Sequence, residues 1–247
     1  MAPTPLDGEV AVVTGASSGI GEATAHALAE DGANLVLAAR SEGRLTEVAD
    51  DVEASHGVDA HVVPTDVTDR DAVDALVDAT VDEYGGLDVL VNNAGLARGE
   101  GPVEMTDDEY HQMMRVNCDG MFYATRAALP HLQEAEGNLV FVGSFAGQYP
   151  RPFNPVYAAT KWWTRGFAHS VEARYGDDGV AVTVVNPSEV RTRFNEEDGT
   201  AFEDAFDEGE VCEPEDVASA IAFAATMDAP ATASEIDVYR QDKFSHF

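Results

Sequence analysis

The sequence predicts an α/β domain built on a doubly wound parallel sheet, and three observations carry that prediction. Short apolar runs recur at 10–13, 35–39, 61–63, 87–91, 139–142 and 180–185. They are near-continuous rather than alternating, as expected of strands buried on both faces. Amphipathic helical periods separate the runs, and strand–helix alternation with right-handed crossovers makes a parallel sheet. Finally, 247 residues suit one such domain, and no linker, repeat or low-complexity tract divides 1–247.

The first run leads into Thr14-Gly15-Ala16-Ser17-Ser18-Gly19-Ile20-Gly21 and then a helix over 22–30. Backbone amides of a glycine turn can approach a pyrophosphate, and the helix N-terminus adds a positive dipole end. Such glycines also serve plain tight turns, but a strand before and a helix after point to dinucleotide binding. The second run ends at Ala39, 18 positions beyond Gly21, where an acidic residue would hold a ribose 2′-hydroxyl. Here Arg40 and Ser41 follow instead. A guanidinium offers charge-assisted donors to a 2′-phosphate, so the expected cofactor is NADP(H).

Two helical periods come next. Leu45, Val48, Ala49 and Val52 share one face, as do Val73, Leu76, Val77, Thr80 and Val81. Asp71, Asp74, Asp78 and Asp82 fall on the opposite, solvated side of the second. The fourth run is followed by Asn92-Asn93-Ala94-Gly95 and the fifth by Ser144. Tyr157 and Lys161 are one helical turn apart and so share a face. A phenol near pKa ~10 is a poor acid–base at neutral pH, and a nearby ammonium favours its phenolate. Tyr157 is therefore expected to exchange the proton, with Lys161 lowering its pKa. Residues 187–213, rich in acid, Gly and Phe, are expected to form a loop or lid over the strand ends.

Composition sets the surroundings. Forty-six acidic residues against 14 basic ones give a formal net charge of −32, and Lys161 and Lys243 are the only lysines. Nucleic acid and anionic membranes are excluded as electrostatic partners. Charge on this scale fits a salt-rich cytoplasm, where screening removes the self-repulsion, better than an ordinary acidic protein. Two cysteines make no disulfide framework, and no secretory signal or membrane span is expected, so the chain reads as cytoplasmic. His111, His131 and His169 lack ligand spacing, and no metal is assigned.

These motifs in this order resemble the short-chain dehydrogenase/reductase family over nearly the whole chain. The 14–21 turn matches its cofactor turn, Asn92–Gly95 its sheet-stabilising motif, and Asn117, Ser144, Tyr157 and Lys161 its catalytic tetrad. The resemblance implies a Rossmann-type seven-stranded sheet of order 3-2-1-4-5-6-7 and a homotetramer or homodimer. It also implies that Ser144 orients the substrate carbonyl and Tyr157 protonates it. Lys161 would bind the nicotinamide ribose, and Asn117, at a helix break, would hold a relay water. Further cofactor contacts are implied for Asp66 and Val67, Asn93, Ala94 and Gly95, and for Pro187, Val190 and Thr192. Ser188 stands where the family usually has glycine and should stiffen the loop. The end, residues 235–240, looks like the serine and 3-hydroxy acid dehydrogenase branch. The implied activity is reversible hydride transfer between NADP(H) and a small-molecule alcohol or carbonyl compound. A non-catalytic NADP(H)-binding sensor is the alternative. Residues 96–101, 145–153 and 191–206 should line the substrate pocket, with Phe145, Tyr149, Phe153, Phe194, Phe202 and Phe206 making it apolar. Arg151, Arg191 and Arg193 could clamp a substrate carboxylate, although pairing with neighbouring acids is the expected use.

Overall fold

The apolar runs become strands of one sheet in a computed structural model that describes residues 4–194, 200–227 and 229–246. In chain order the strands are β1 (Val10–Thr14), β2 (Asn34–Ala39), β3 (Ala60–Pro64) and β4 (Val89–Asn92), then β5 (Asn138–Val142), β6 (Ala181–Pro187) and β7 (Glu235–Val238). All pairs are parallel, in the order β3-β2-β1-β4-β5-β6-β7 that the resemblance implies. β4 starts two residues later than its run. Asp88 intervenes, its carboxylate accepting from the Val10 amide at 2.8 Å, so Leu87 packs in the core ahead of the strand. β7 has no apolar run at all, because Glu235 and Asp237 alternate with Ile236 and Val238.

The helices are α1 (Gly19–Glu30), α2 (Glu42–His56), α3 (Arg70–Tyr84), α4 (Asp107–Met114), α5 (Met121–Ala135), α6 (Pro155–Tyr175), α7 (Phe202–Ala205) and α8 (Pro214–Ala225). The faces expected on α2 and α3 are the buried ones, with Val81 half-buried. Alternate strand residues feed two cores. Val13, Leu35 and Val91 pack with Leu28, Leu45 and Ile221 on one side of the sheet. Val12, Val36 and Leu90 pack with Leu76, Leu132 and Val171 on the other. No helix among the described residues is long and apolar enough to cross a membrane.

Two details place the site. Parallel pairing brings every strand C-terminus to one edge, and the crevice opens where the order reverses between β1 and β4. Between α4 and α5 the helix widens into a π-helical turn, Arg115–Gly120, which carries Asn117. Such turns are frequent at functional sites. A side chain at Gly120 would come within 2.9 Å of Val67, so glycine is what lets this turn lie against the segment after β3.

Candidate active site

A cavity of about 880 Å³ occupies that crevice. Its floor is the glycine turn. Gly15 and Gly19 have φ of 68° and 57°, in the left-handed region. A Cβ on Gly21 would lie 2.2 Å from the Gly15 carbonyl oxygen, so the turn closes only with glycine there. Asn93 locks the turn from the next strand. Its side-chain amide donates to the Thr14 and Gly15 carbonyls at 2.8 and 3.2 Å. The Thr14 hydroxyl in turn accepts from the Asn93 and Ala94 amides. Asn92 reaches the other way, to the Thr125 hydroxyl at 3.1 Å.

The cavity brings together Gly15, Ser17, Ser18, Gly19 and Ile20 with Arg40, Ser41, Asp66 and Val67, and further along with Asn93, Ala94 and Gly95. Ser144, Tyr157, Lys161, Pro187, Val190 and Thr192 line its far end. Of the expected site residues, Gly21 and Asn117 lie behind this lining. Asp66 is exposed, and its carboxylate closes a turn by accepting from the Thr68 amide and hydroxyl. Arg44, in the first turn of α2, also lines the cavity. The sequence reading missed it, because Arg40 lies ahead of the cap Ser41 and no helical spacing joins the two.

At the far end, Ser144 caps a short helical turn, its hydroxyl accepting from the Ala146 amide at 3.1 Å. Its own amide donates to Asn186 Oδ1 at 3.3 Å. Asn154 caps α6 by accepting from the Tyr157 amide, which fixes the first turn and the tyrosine on it. Asn117 is fully buried and spent on protein. It accepts from Leu96 N, and donates to Leu96 O at 2.8 Å and to the Thr160 hydroxyl at 3.0 Å. It thereby ties the loop after β4 to α6.

Tyr157 and Lys161 depart from expectation in one respect. Burial pushes the Tyr157 phenol up, against the opposing hydrogen bond with Ser144 and the charge of Arg151. Lys161 does not lower it in this arrangement. Its ammonium donates to the Val142 carbonyl at 2.8 Å and lies 6.0 Å from the phenol ring centre. Burial brings that ammonium down to about 8.

The substrate end is also less apolar than expected. Phe194 and Phe202 line the cavity, in a row of ring contacts from Tyr157 to Phe194 to Phe202 to Phe206. Phe145 and Tyr149 instead stack on each other and pack with Tyr239 and Phe244 under the C-terminal segment. Phe153 is exposed. Residues 195–199 of the expected lid lie outside the described residues. Arg191 forms an ion pair with Glu213 at 3.0 Å and Arg151 faces Glu189, so these two arginines pair with acids. Ser188 has no positive φ, so the usual glycine is dispensable. Its hydroxyl accepts from the Arg240 amide, tying this loop to the C-terminal segment.

Fold and site together define an oxidoreductase of the short chain dehydrogenase family. The chain belongs to that family, which it matches over residues 9–201. An uncharacterised oxidoreductase of Staphylococcus aureus is 36% identical over 236 residues, covering 95% of this chain and 98% of the relative. Among solved structures, an alcohol dehydrogenase from the archaeon Thermococcus sibiricus, complexed with 5-hydroxy-NADP, is similar at a TM-score of 0.86. It is 28% identical over 94% of this chain and 96% of that one. A 3-ketoacyl-(acyl-carrier-protein) reductase from Brucella melitensis, complexed with NADH, gives 0.83, with 30% identity over 94% and 97%.

Proposed function

We propose that the chain transfers hydride reversibly between NADP(H) and a secondary alcohol, ketone or aldehyde, small hydroxy acids included. The observation that carries this is a single cavity holding the glycine turn and Arg40 at one end and Ser144, Tyr157 and Lys161 at the other. Structural neighbours hold both nicotinamide cofactors, so the chain's own residues decide between them. Ala39 places no carboxylate at the adenosine ribose, while Arg40 and Arg44 line the cavity there. No ion pair to either is found among the described residues. That arrangement fits a 2′-phosphate.

The glycine cradle fits a pyrophosphate, and the nicotinamide supplies or takes the hydride. The protein does the rest. Ser144 donates its hydroxyl proton in a hydrogen bond to the substrate carbonyl oxygen, and Tyr157 protonates that oxygen, or takes the proton back in the oxidative direction. Lys161, whose ammonium donates to the Val142 carbonyl, would hold the nicotinamide ribose. Phe194 and Phe202, which line the cavity beside Tyr157, keep water out.

Residues 1–247 act as one domain in a salt-rich cytoplasm, as a homodimer or homotetramer. Phe122 and Trp162, exposed on α5 and α6, suit a subunit contact. The test is NADPH and NADH oxidation over ketones, aldehydes, sugars and oxo acids at molar KCl. NADPH binding without turnover of any of them would leave the sensor reading in place.

A further inference from the structure

Beside Tyr157 stands a charged pair that hydride transfer does not use. Arg151 precedes α6 and Glu189 follows β6, and both line the cavity. Their nearest N and O atoms are 3.7 Å apart, beyond direct hydrogen-bond reach. Both side chains are largely buried, and Arg151 Nε and Glu189 Oε2 have no hydrogen-bond partner. The guanidinium lies 4.4 Å over the Phe153 ring, and its charge reaches the Tyr157 phenol. Glu189 is held from behind. Lys243 Nζ donates to its Oε1 at 2.5 Å and sits 4.4 Å over the Phe145 ring, within the aromatic cluster that anchors the C-terminal segment.

A donor and an acceptor thus line the cavity together, each keeping a buried atom without a partner. Buried polar atoms in that state are costly until something completes them. A methyl group completes neither. A carboxylate completes Arg151 alone and meets Glu189 as a like charge. A neutral hydroxyl completes both, donating its proton to the carboxylate while accepting from the guanidinium.

We propose that Arg151 and Glu189 form a hydroxyl-recognition subsite, so that the preferred substrates carry a hydroxyl beside the carbonyl, as hydroxyketones and open-chain sugars do. Lys243 is a positioning residue that fixes the Glu189 carboxylate. This rests on the reductase reading above and narrows it away from oxo acids.

Three small ketones test it, because hydroxyacetone, butanone and pyruvate present a hydroxyl, a methyl and a carboxylate at nearly the same place. With the full chain, NADPH and molar KCl, kcat/KM for hydroxyacetone is expected to exceed butanone by about tenfold or more, as for a hydrogen bond to a charged group. Pyruvate should rank last. Glu189→Gln keeps the shape and removes the charge, and Arg151→Met removes the donor. In each, the hydroxyacetone-to-butanone ratio should fall at least about threefold. A ratio unchanged in both variants, or pyruvate as the best substrate, overturns the subsite and leaves the reductase reading standing. If neither variant folds, the wild-type ratio decides alone, and a value below about tenfold counts against the subsite. If no ketone is reduced, the reductase reading itself fails. Calorimetric titration of glycerol into the NADPH-mixed protein then judges the subsite, and heat no larger than for 1-propanol overturns it.

Discussion

The two ends of the cavity use their cations in opposite ways. Among the described residues seven cations line the cavity against two carboxylates, in a chain of 14 basic and 46 acidic residues, so positive charge is concentrated there. At the dinucleotide end, no carboxylate among the described residues pairs with Arg40 or Arg44. At the substrate end, Arg151 faces Glu189, and Arg191 just behind it pairs with Glu213. In a chain so rich in acid, a guanidinium without a carboxylate is the exception. Physically, a lone cation in a cavity is prepared for an anion, while a cation set against a carboxylate is prepared for a neutral group that can both donate and accept. One end therefore suits a phosphate and the other a hydroxyl.

The largest expected effect tests the backdrop of this contrast, the acidic exterior. A net charge of −32 repels itself over about 10 Å at 0.1 M salt but only about 3 Å at 1 M. Folding and activity should therefore need molar salt, with Tm rising by about 2–4 °C for each kcal/mol of repulsion removed. A Tm that stays flat between about 0.1 M and 3 M KCl removes the salt-rich setting. The next largest effect acts at the substrate end alone. Tyr157→Phe keeps the ring against Phe194 but loses the proton, so turnover should drop about 10²-fold or more while NADPH still binds. Near-normal turnover in that variant excludes Tyr157 as the acid.

The dinucleotide end is probed by Arg40→Ala. Losing a charge-assisted bond of about 1.5–3 kcal/mol should weaken NADPH about 10- to 150-fold and leave NADH nearly unchanged. Ala39→Asp should act in the opposite sense on the two cofactors, since the new carboxylate repels the phosphate and accepts the 2′-hydroxyl of NADH. The readout is the ratio of kcat/KM for the two cofactors. A wild type that prefers NADH, or a ratio that Arg40→Ala does not move, means that the lone cations at this end serve no phosphate.

How much of this could be read from the sequence depended on how local the chemistry is. The glycine turn, the Tyr157–Lys161 turn and Arg40 sit in short segments where spacing alone constrains geometry, and the cavity gathers them. Arg44 was not marked in this way, since Arg40 precedes the helix that carries it and the two share no helix face. The Arg151, Glu189 and Lys243 cluster could not, because three distant segments meet there and no periodicity joins them. β7 was invisible to hydropathy for the same kind of reason. Its Glu235 and Asp237 are strand residues because Asn186, Gln148 and Arg165 of other elements donate to them. The direction of the Tyr157 shift also escaped, since burial, which a spacing argument does not contain, outweighs the neighbouring charges.

That β7 carboxylate offers the smallest and most specific test, because it supports the substrate end from outside the cavity. Burial by itself would raise Glu235, but hydrogen bonds from Arg165, Gln148 and Asn186 outweigh it and hold the carboxyl at about 2. Asn186, fully buried, passes the contact on by accepting from the Ser144 amide. A carboxyl whose folded pKa lies below its unfolded value stabilises fully above about pH 4.5, and the contribution fades as pH falls toward about 2. Glu235→Gln should therefore cost stability at pH 7. Its side chain keeps about a fifth of its surface exposed, where water and salt still screen the charge, so the loss should sit near about 1 kcal/mol. The difference between wild type and variant should shrink steadily between pH 4.5 and pH 2. Denaturant unfolding of both proteins at pH 7 and pH 3, in the same molar salt, measures it. Salt held constant keeps the protonation of the other surface acids common to both chains, so their large effect cancels in the difference. A gap of the same size at both pH values would mean that Glu235 contributes shape rather than charge, and that the link from β7 through Asn186 to Ser144 is packing alone.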